Sequence, residues 1–136
     1  MIGRSFLAEI AGAALLAACA TTDVAVEPVW GKQPCAHCAM VMSDERFGAQ
    51  LVTDAGERSY FDDVGCMVVF VEDRGTHAKR LWVRDAQTAR WVVASSARYV
   101  GGVASPMDFG FEARAEGGVG WGEMRTAVLA KKRGMP

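Results

Sequence analysis

The stretch Phe61-Asp62-Asp63-Val64-Gly65-Cys66-Met67 decides how the middle of this chain folds. It joins the end of a strand-like segment to an apolar run of helical length, and two aspartates stand at the junction. Aspartate caps a helix because its carboxylate accepts hydrogen bonds from the first unpaired amides. The sequence therefore predicts Asp62 and Asp63 as the cap of a helix over residues 64–72, which Gly75 ends.

Strand patterns lie on both sides of this helix. Residues 47–53 and 57–61 have strand composition around the turn Asp54-Ala55-Gly56, which predicts a hairpin. Further strands are predicted over residues 81–85, 91–93, 98–103 and 109–112, and residues 121–132 have helical period. The predicted fold class is α+β: a single domain with a small, mainly antiparallel sheet and two helices, built of ββα-type units.

Sulfur donors gather at the helix start and in a second stretch, Cys35-Ala36-His37-Cys38-Ala39-Met40. Thiolate and thioether are soft ligands that select Cu(I) over harder divalent ions. The thioethers are the informative members, because zinc sites are built from cysteine, histidine and carboxylate. The pattern therefore indicates a Cu(I)-binding protein.

The spacing of the donors ranks them as ligands. Cys38 and Met40 are two residues apart, so an extended segment turns both side chains to one side. Cys66 and Met67 diverge by about 100° on a helix and reach one ion only if it lies over the helix end. Met107 stands at the tip of a predicted turn, where core packing does not explain a methionine.

Two members of the first motif remain ambiguous. Cys35 either forms a disulfide with Cys38 or adds a ligand, and His37 is either a ligand or an exposed loop residue. Cys66 stands in the first helical turn, where unpaired amides and the helix dipole favour a thiolate, so its pKa is expected to fall.

The first residues have the pattern of a targeting segment. Arg4 precedes an apolar run over residues 10–18, and Leu16-Ala17-Ala18-Cys19 looks like a bacterial lipoprotein signal. We expect residues 1–18 to be a signal peptide, Cys19 to carry the lipid, residues 19–34 to form a tether, and residues 35–136 to form the copper-binding domain. Such a chain is anchored to a membrane without spanning it.

Charge and motif content exclude several functions. The formal net charge is −1 and the one basic cluster, Lys131-Lys132-Arg133, suits a helix end, so a nucleic-acid surface is not expected. The sequence has no serine–histidine–aspartate arrangement, phosphate loop or separated carboxylate pair. We therefore expect no enzymatic activity.

Taken together, the motifs resemble the NosL-type family, the copper-binding lipoproteins that assist nitrous oxide reductase maturation. The similarity runs in order from Cys35 to the last helix. The matching residues are Cys35-Ala36-His37-Cys38-Ala39-Met40, Asp44, Phe61-Asp62-Asp63-Val64-Gly65-Cys66-Met67, Trp82-Val83-Arg84-Asp85, Ala97-Arg98-Tyr99-Val100 and Pro106-Met107.

The resemblance implies a lipoprotein on the periplasmic face of a bacterial membrane. It implies that the protein binds one Cu(I) and passes it to the machinery that builds the copper centres of apo nitrous oxide reductase. It also implies a fold of ββα-type units similar to part of the organomercurial lyases. Where the family usually has glycine, this chain has Ala39 and Asp108; alanine restricts the backbone if that position needs a positive φ.

Three other readings stay open. Cys35 and Cys38 could be a thiol-redox pair, although redox C-x-x-C pairs usually open a helix after a strand. Cys35, Cys38, Cys66 and His37 could hold a structural zinc ion. Finally, the cysteines could form one disulfide in a lipoprotein that acts through protein interactions.

Overall fold

The computed structural model describes residues 23–134, which form two antiparallel sheets and two helices. The strands are β1 (Ala49–Thr53), β2 (Arg58–Phe61), β3 (Ala78–Arg84), β4 (Trp91–Val93), β5 (Arg98–Gly101) and β6 (Phe111–Arg114). The helices are α1 (Val64–Arg74) and α2 (Trp121–Arg133). The predicted α+β class is confirmed, and each helix follows a hairpin, β1–β2 or β5–β6.

The strands form two sheets, whereas the sequence predicts a single small sheet. Four strands pair in the order β2-β1-β3-β4, and β5 and β6 form a separate pair. The division follows β4, where the turn Ala94–Ser96 redirects the chain and the Tyr99 hydroxyl donates to the Ala94 carbonyl at 2.6 Å. Within residues 23–134, no helix is both long and apolar enough to cross a membrane.

The larger sheet is covered on both faces. Ala49 and Leu51 of β1 belong to the main core together with residues of both helices, including Val68 and Met124. The alternate residues Gln50 and Val52 are also fully buried, on the opposite face. The helices cover the face that carries Ala49 and Leu51, so another segment must cover the face that carries Gln50 and Val52.

That second layer is supplied by residues 24–34, here called the strap. The strap is held by paired hydrogen bonds: Gln50 Oε1 accepts from the Val26 amide at 3.0 Å, and Gln50 Nε2 donates to the Val26 carbonyl at 3.1 Å. Arg58 Nη2 also donates to the Val24 carbonyl at 2.9 Å. Residues predicted as a free tether are therefore packed on the sheet from Val24 onward, because they satisfy polar groups that the sheet buries.

Arg84 and the residues around it, Glu27, Trp30 and Trp91, hold the middle of the strap and are here called the arginine clasp. Arg84 is 7% exposed, and its Nη1 donates to Glu27 Oε1 at 2.7 Å. Its guanidinium lies 5.6 Å from the ring centroid of Trp30 and 5.1 Å from that of Trp91. Trp91 Nε1 donates to Glu27 as well, at 2.8 Å. The pKa of Glu27 is lowered, because these hydrogen bonds from tryptophan and arginine outweigh the effect of burial.

Candidate metal centre

The start of α1 supplies one side of the site. Asp63 is the N-cap: its Oδ1 accepts from the Gly65 amide at 2.8 Å, and its Oδ2 accepts from the Met107 amide at 3.0 Å. Gly75 ends the helix in the left-handed conformation, with φ 58°. Because Asp63 binds both the helix and the 105–108 turn, it fixes the backbone around Cys66.

A hairpin-like loop over residues 31–42 supplies the other side. Its two arms are joined by hydrogen bonds from Gly31 N to Met42 O at 2.8 Å and from Cys35 N to Met40 O at 2.8 Å. The amide of Ala36 donates to the carbonyl of Tyr60 at 2.8 Å, which attaches the loop tip to β2. The C-x-x-C pair thus lies in a turn, and not at the start of a helix.

The loop tip and the helix start bring three thiols and one carboxylate together. One ligand atom from each of Cys35, Cys38, Cys66 and Asp62 lies within 4.8 Å of every other. Three sulfurs bound at about 2.3 Å around one ion stand about 4 Å apart. The group, here called the thiol cluster, therefore has spacing that suits one central ion.

Burial is uneven across the thiol cluster. Cys66 and Cys35 are 0% and 3% exposed, Asp62 is 4% exposed, and Cys38 is half-buried. All three cysteines among residues 23–134 are free thiols. Access to the cluster from solvent is therefore on the Cys38 side.

Hydrogen bonds favour a thiolate at Cys35. The Cys66 thiol donates to the Cys35 sulfur and lowers the pKa of Cys35, while burial opposes this change. Amide N–H groups of Cys38, Asp62 and His37 also donate to the same sulfur and lower its pKa further. These hydrogen bonds make Cys35 the most favourable position for a negative charge among the three thiols.

The expected acidification of Cys66 is wrong. The pKa of Cys66 is raised, because its thiol donates to Cys35 and because it is buried. The helix start does stabilise negative charge in general. Here, however, the hydrogen bond to Cys35 and the burial of Cys66 both favour the protonated thiol.

Asp62 belongs to the thiol cluster, and Asp63 alone caps the helix. Cys38 Sγ donates to Asp62 Oδ1 at 3.4 Å. Burial raises the pKa of Asp62 to about 6, and the charge on Cys35 acts in the same direction. Burial also raises the pKa of Cys38 to about 12. This position of Asp62 differs from its predicted role as a cap, although two adjacent aspartates before one helix leave one carboxylate without a capping function.

The thioethers surround the thiol cluster at different depths. Met40 is 59% exposed, next to the half-buried Cys38, and its amide donates to the Cys38 sulfur. Met107 is partly buried against the core, in the turn that Asp63 binds. Met67 is 0% exposed and belongs to the main core, as expected for a side chain that diverges from its neighbour Cys66.

The remaining candidates are His37 and Cys19. The side chain of His37 is exposed at the loop tip, and only its amide is directed to Cys35. Cys19, the expected lipid attachment site, and the expected signal peptide over residues 1–18 lie outside the described residues.

Ala39 and Asp108, which stand where the resemblance to the NosL-type family predicts glycine, both have left-handed backbone. Ala39 has φ 64° and Asp108 has φ 57°. Left-handed backbone costs a residue with a Cβ about 1–2 kcal/mol relative to glycine. The turn at Ala39 is therefore strained, whereas an aspartate such as Asp108 adopts this conformation more readily.

Comparison with known proteins supports the fold. No protein-family model matches the sequence, and no curated protein matches it. The structure is similar to the crystal structure of the copper chaperone NosL from Shewanella denitrificans, with a TM-score of 0.60. The match covers 79% of this chain and 87% of that chain, at 14% sequence identity. At this identity the likeness shows a shared NosL-like fold.

Proposed function

We propose that this protein is a copper chaperone that binds Cu(I) in the thiol cluster and passes it on. The observation that carries the proposal is the convergence of three free thiols from two separate elements within 4.8 Å. Soft thiolates favour Cu(I), and the fold is shared with a protein described as a copper chaperone. Binding of copper, and not catalysis, is the activity proposed.

The proposed ligands are Cys35, Cys38 and Cys66, with the thioethers Met40 and Met107 as donors during transfer. Cys35 binds first as the preformed thiolate, and the ion displaces protons from the other thiols. Met40 is exposed beside Cys38, so it can bind an incoming or departing ion before the buried sulfurs release it. His37 and Met67 have no part in this ligand set.

We further propose that the chain is a lipoprotein of the periplasmic face, anchored through Cys19, and that it delivers copper for nitrous oxide reductase maturation. The signal-like residues 1–19 and the motif order shared with the NosL-type family support this proposal. The receiving partner would be apo nitrous oxide reductase or its assembly machinery.

Titration of Cu(I) against a chromophoric chelator, under anaerobic conditions, tests the binding. We expect one tightly bound ion per chain, and Cys66→Ser and Cys38→Ser should each weaken binding by at least about tenfold, since each removes one soft ligand. Met124→Leu is the matched control, because Met124 is fully buried on α2 and lies in the core. Equal affinity in the cysteine variants and the control would refute the proposal.

Zinc is the second candidate, and the position of Asp62 is the observation that favours it. Three thiolates and a carboxylate are an acceptable tetrahedral set for Zn²⁺. Asp62→Asn should then weaken zinc binding clearly while leaving Cu(I) affinity within about threefold, because a monovalent soft ion depends on the sulfurs. Stronger binding of zinc than of Cu(I), with loss of zinc in Asp62→Asn, would assign the site to zinc.

A further inference from the structure

The end of the sheet where the strap begins lies opposite the thiol cluster. In β1, Val52 is paired with both Arg58 and Arg80, whereas Ala49 is paired with Phe61. The two rows are three residues apart, which is about 10 Å along the strand. The thiol cluster lies beyond the second row, because Asp62 directly follows Phe61.

The first described residues are attached to the opposite row. Asp23 Oδ1 lies 3.3 Å from Lys79 Nζ and 3.9 Å from Arg80 Nε at the start of β3. The Val24 carbonyl accepts from Arg58 at 2.9 Å, so the chain is held against the sheet from this residue onward. Any tether from Cys19 therefore ends at Asp23, and not at Cys35.

This attachment shortens the tether greatly. Sixteen residues from Cys19 to Cys35 could span about 55 Å, but the four from Cys19 to Asp23 span at most about 14 Å. A lipid on Cys19 would thus hold the Asp23 end of the domain against the bilayer surface. Val24 and Val26 of the strap are 53% and 38% exposed, and Lys79 and Arg80 are exposed cations that lie against Asp23.

We infer that the surface formed by Asp23, Val24, Val26, Lys79 and Arg80 rests on the lipid bilayer, so that the thiol cluster faces the aqueous side. This inference rests on the lipid anchor of the proposed function. The occupant is a phospholipid surface, which suits valine side chains beside lysine and arginine. The thiol cluster, at the other end of the sheet, is then accessible to a partner that approaches from the aqueous side.

Lysine labelling on vesicles tests this orientation. The full-length acylated protein, on phosphatidylethanolamine–phosphatidylglycerol vesicles, is treated with a membrane-impermeant acetylating reagent and examined by mass spectrometry. The labelling of Lys79 should be at least about threefold slower than in the unacylated Cys19→Ser chain mixed with the same vesicles, because contact with headgroups shields Lys79. Lys32, exposed in the metal-binding loop, should be labelled equally in both.

A longer tether provides the second variant. Ten glycine and serine residues inserted between Thr22 and Asp23 should restore labelling of Lys79 while the protein stays on the vesicles. Protection of Lys32, or equal labelling of Lys79 in all three chains, would overturn the inference. Failure of the wild-type chain to float with vesicles would overturn both the anchor and the orientation. Copper titration of the same samples tests the metal site independently.

Discussion

Replacement of Ala39 by glycine should stabilise the protein, because Ala39 has φ 64° at the tip of the hairpin-like loop over residues 31–42. Left-handed backbone costs alanine about 1–2 kcal/mol, which glycine does not incur. Glycine also gains entropy in the unfolded chain, which returns about 0.4–1 kcal/mol of this difference. The expected net gain is therefore about 0.5–1 kcal/mol in the free energy of unfolding.

Urea and thermal unfolding of the reduced, metal-free protein measure this gain. An increase of about 0.5–1 kcal/mol corresponds to a rise in Tm of about 2–6 °C for a domain of this size. Ala36→Gly is the matched control, since Ala36 lies in the same turn without a positive φ. The control should lose about 0.5–1 kcal/mol, because glycine adds only unfolded-state entropy there.

The difference between the Ala39→Gly and Ala36→Gly variants tests whether the turn at Ala39 is strained. If Ala39→Gly destabilises the protein as much as Ala36→Gly does, the left-handed turn is not strained and the predicted gain in stability is wrong. If Ala39→Gly stabilises the fold, a Cu(I) titration then shows whether the rigid alanine turn also affects binding at the neighbouring Cys38.

Three further predictions concern the helix start, the buried carboxylate and the arginine clasp. Gly65→Ala should cost about 1–3 kcal/mol in chemical unfolding, because a Cβ would lie 2.1 Å from Phe109 Cγ, whereas Gly122→Ala meets nothing within 4 Å and should gain up to about 1 kcal/mol. In the metal-free protein, Asp62 should contribute a loss of stability of up to about 3 kcal/mol as the pH rises from about 4 to about 6, because the folded state raises the pKa of Asp62 from 3.8 to about 6 and so loses the bound proton later than the unfolded chain. Cys35, whose pKa is lowered by its hydrogen bonds, contributes the opposite slope over this range. Asp62→Asn should therefore make the unfolding free energy rise more steeply with pH than in the wild type, and an unchanged profile would contradict the assignment. Glu27→Gln should lose about 1–2 kcal/mol, since a neutral amide replaces one of the two carboxylates that pair with the buried Arg84, while Glu57→Gln at an exposed turn should change the unfolding free energy little.

Local signals in the sequence are sufficient for the helix α1 and the first hairpin. Asp63, the apolar run and Gly75 act on their immediate neighbours, so a helix start, a helix body and a helix end can be predicted from short-range rules. The predicted helix over residues 64–72 differs from the observed Val64–Arg74 only in its last turn.

The strap could not be predicted in this way. Its residues have no strand or helix period, and they are fixed by side chains far along the chain, such as Gln50 and Arg84. These polar residues carry no mark of burial in the sequence, since both are usually exposed. Only the three-dimensional sheet shows that Gln50 and Arg84 need partners, and that the strap provides them.

The candidate site was predicted in part, for the same physical reason. Cysteine spacing alone cannot tell which sulfurs meet, but a C-x-x-C pair and a cysteine in a capped first turn limit the possibilities. The fold brings Cys35, Cys38 and Cys66 together, and the raised pKa of Cys66 depends on a hydrogen bond to Cys35, a residue distant in the sequence. Asp62 was assigned to the cap because capping is the commoner use of aspartate before a helix.

The order in which the sulfurs are buried bears directly on how a chaperone could release its ion. Cys66 belongs to a helix capped by Asp63 and is fully buried, so it moves least; Cys38 is half-buried, and Met40 is 59% exposed. An entering ligand therefore meets the thioether and Cys38 before it meets the buried thiols. Under the proposed function, exchange that begins at the exposed donors would keep Cu(I) bound at every step, because each buried sulfur would depart only after another donor had arrived. Such an order would allow a buried cluster to hold copper firmly and still transfer it without releasing the ion into water.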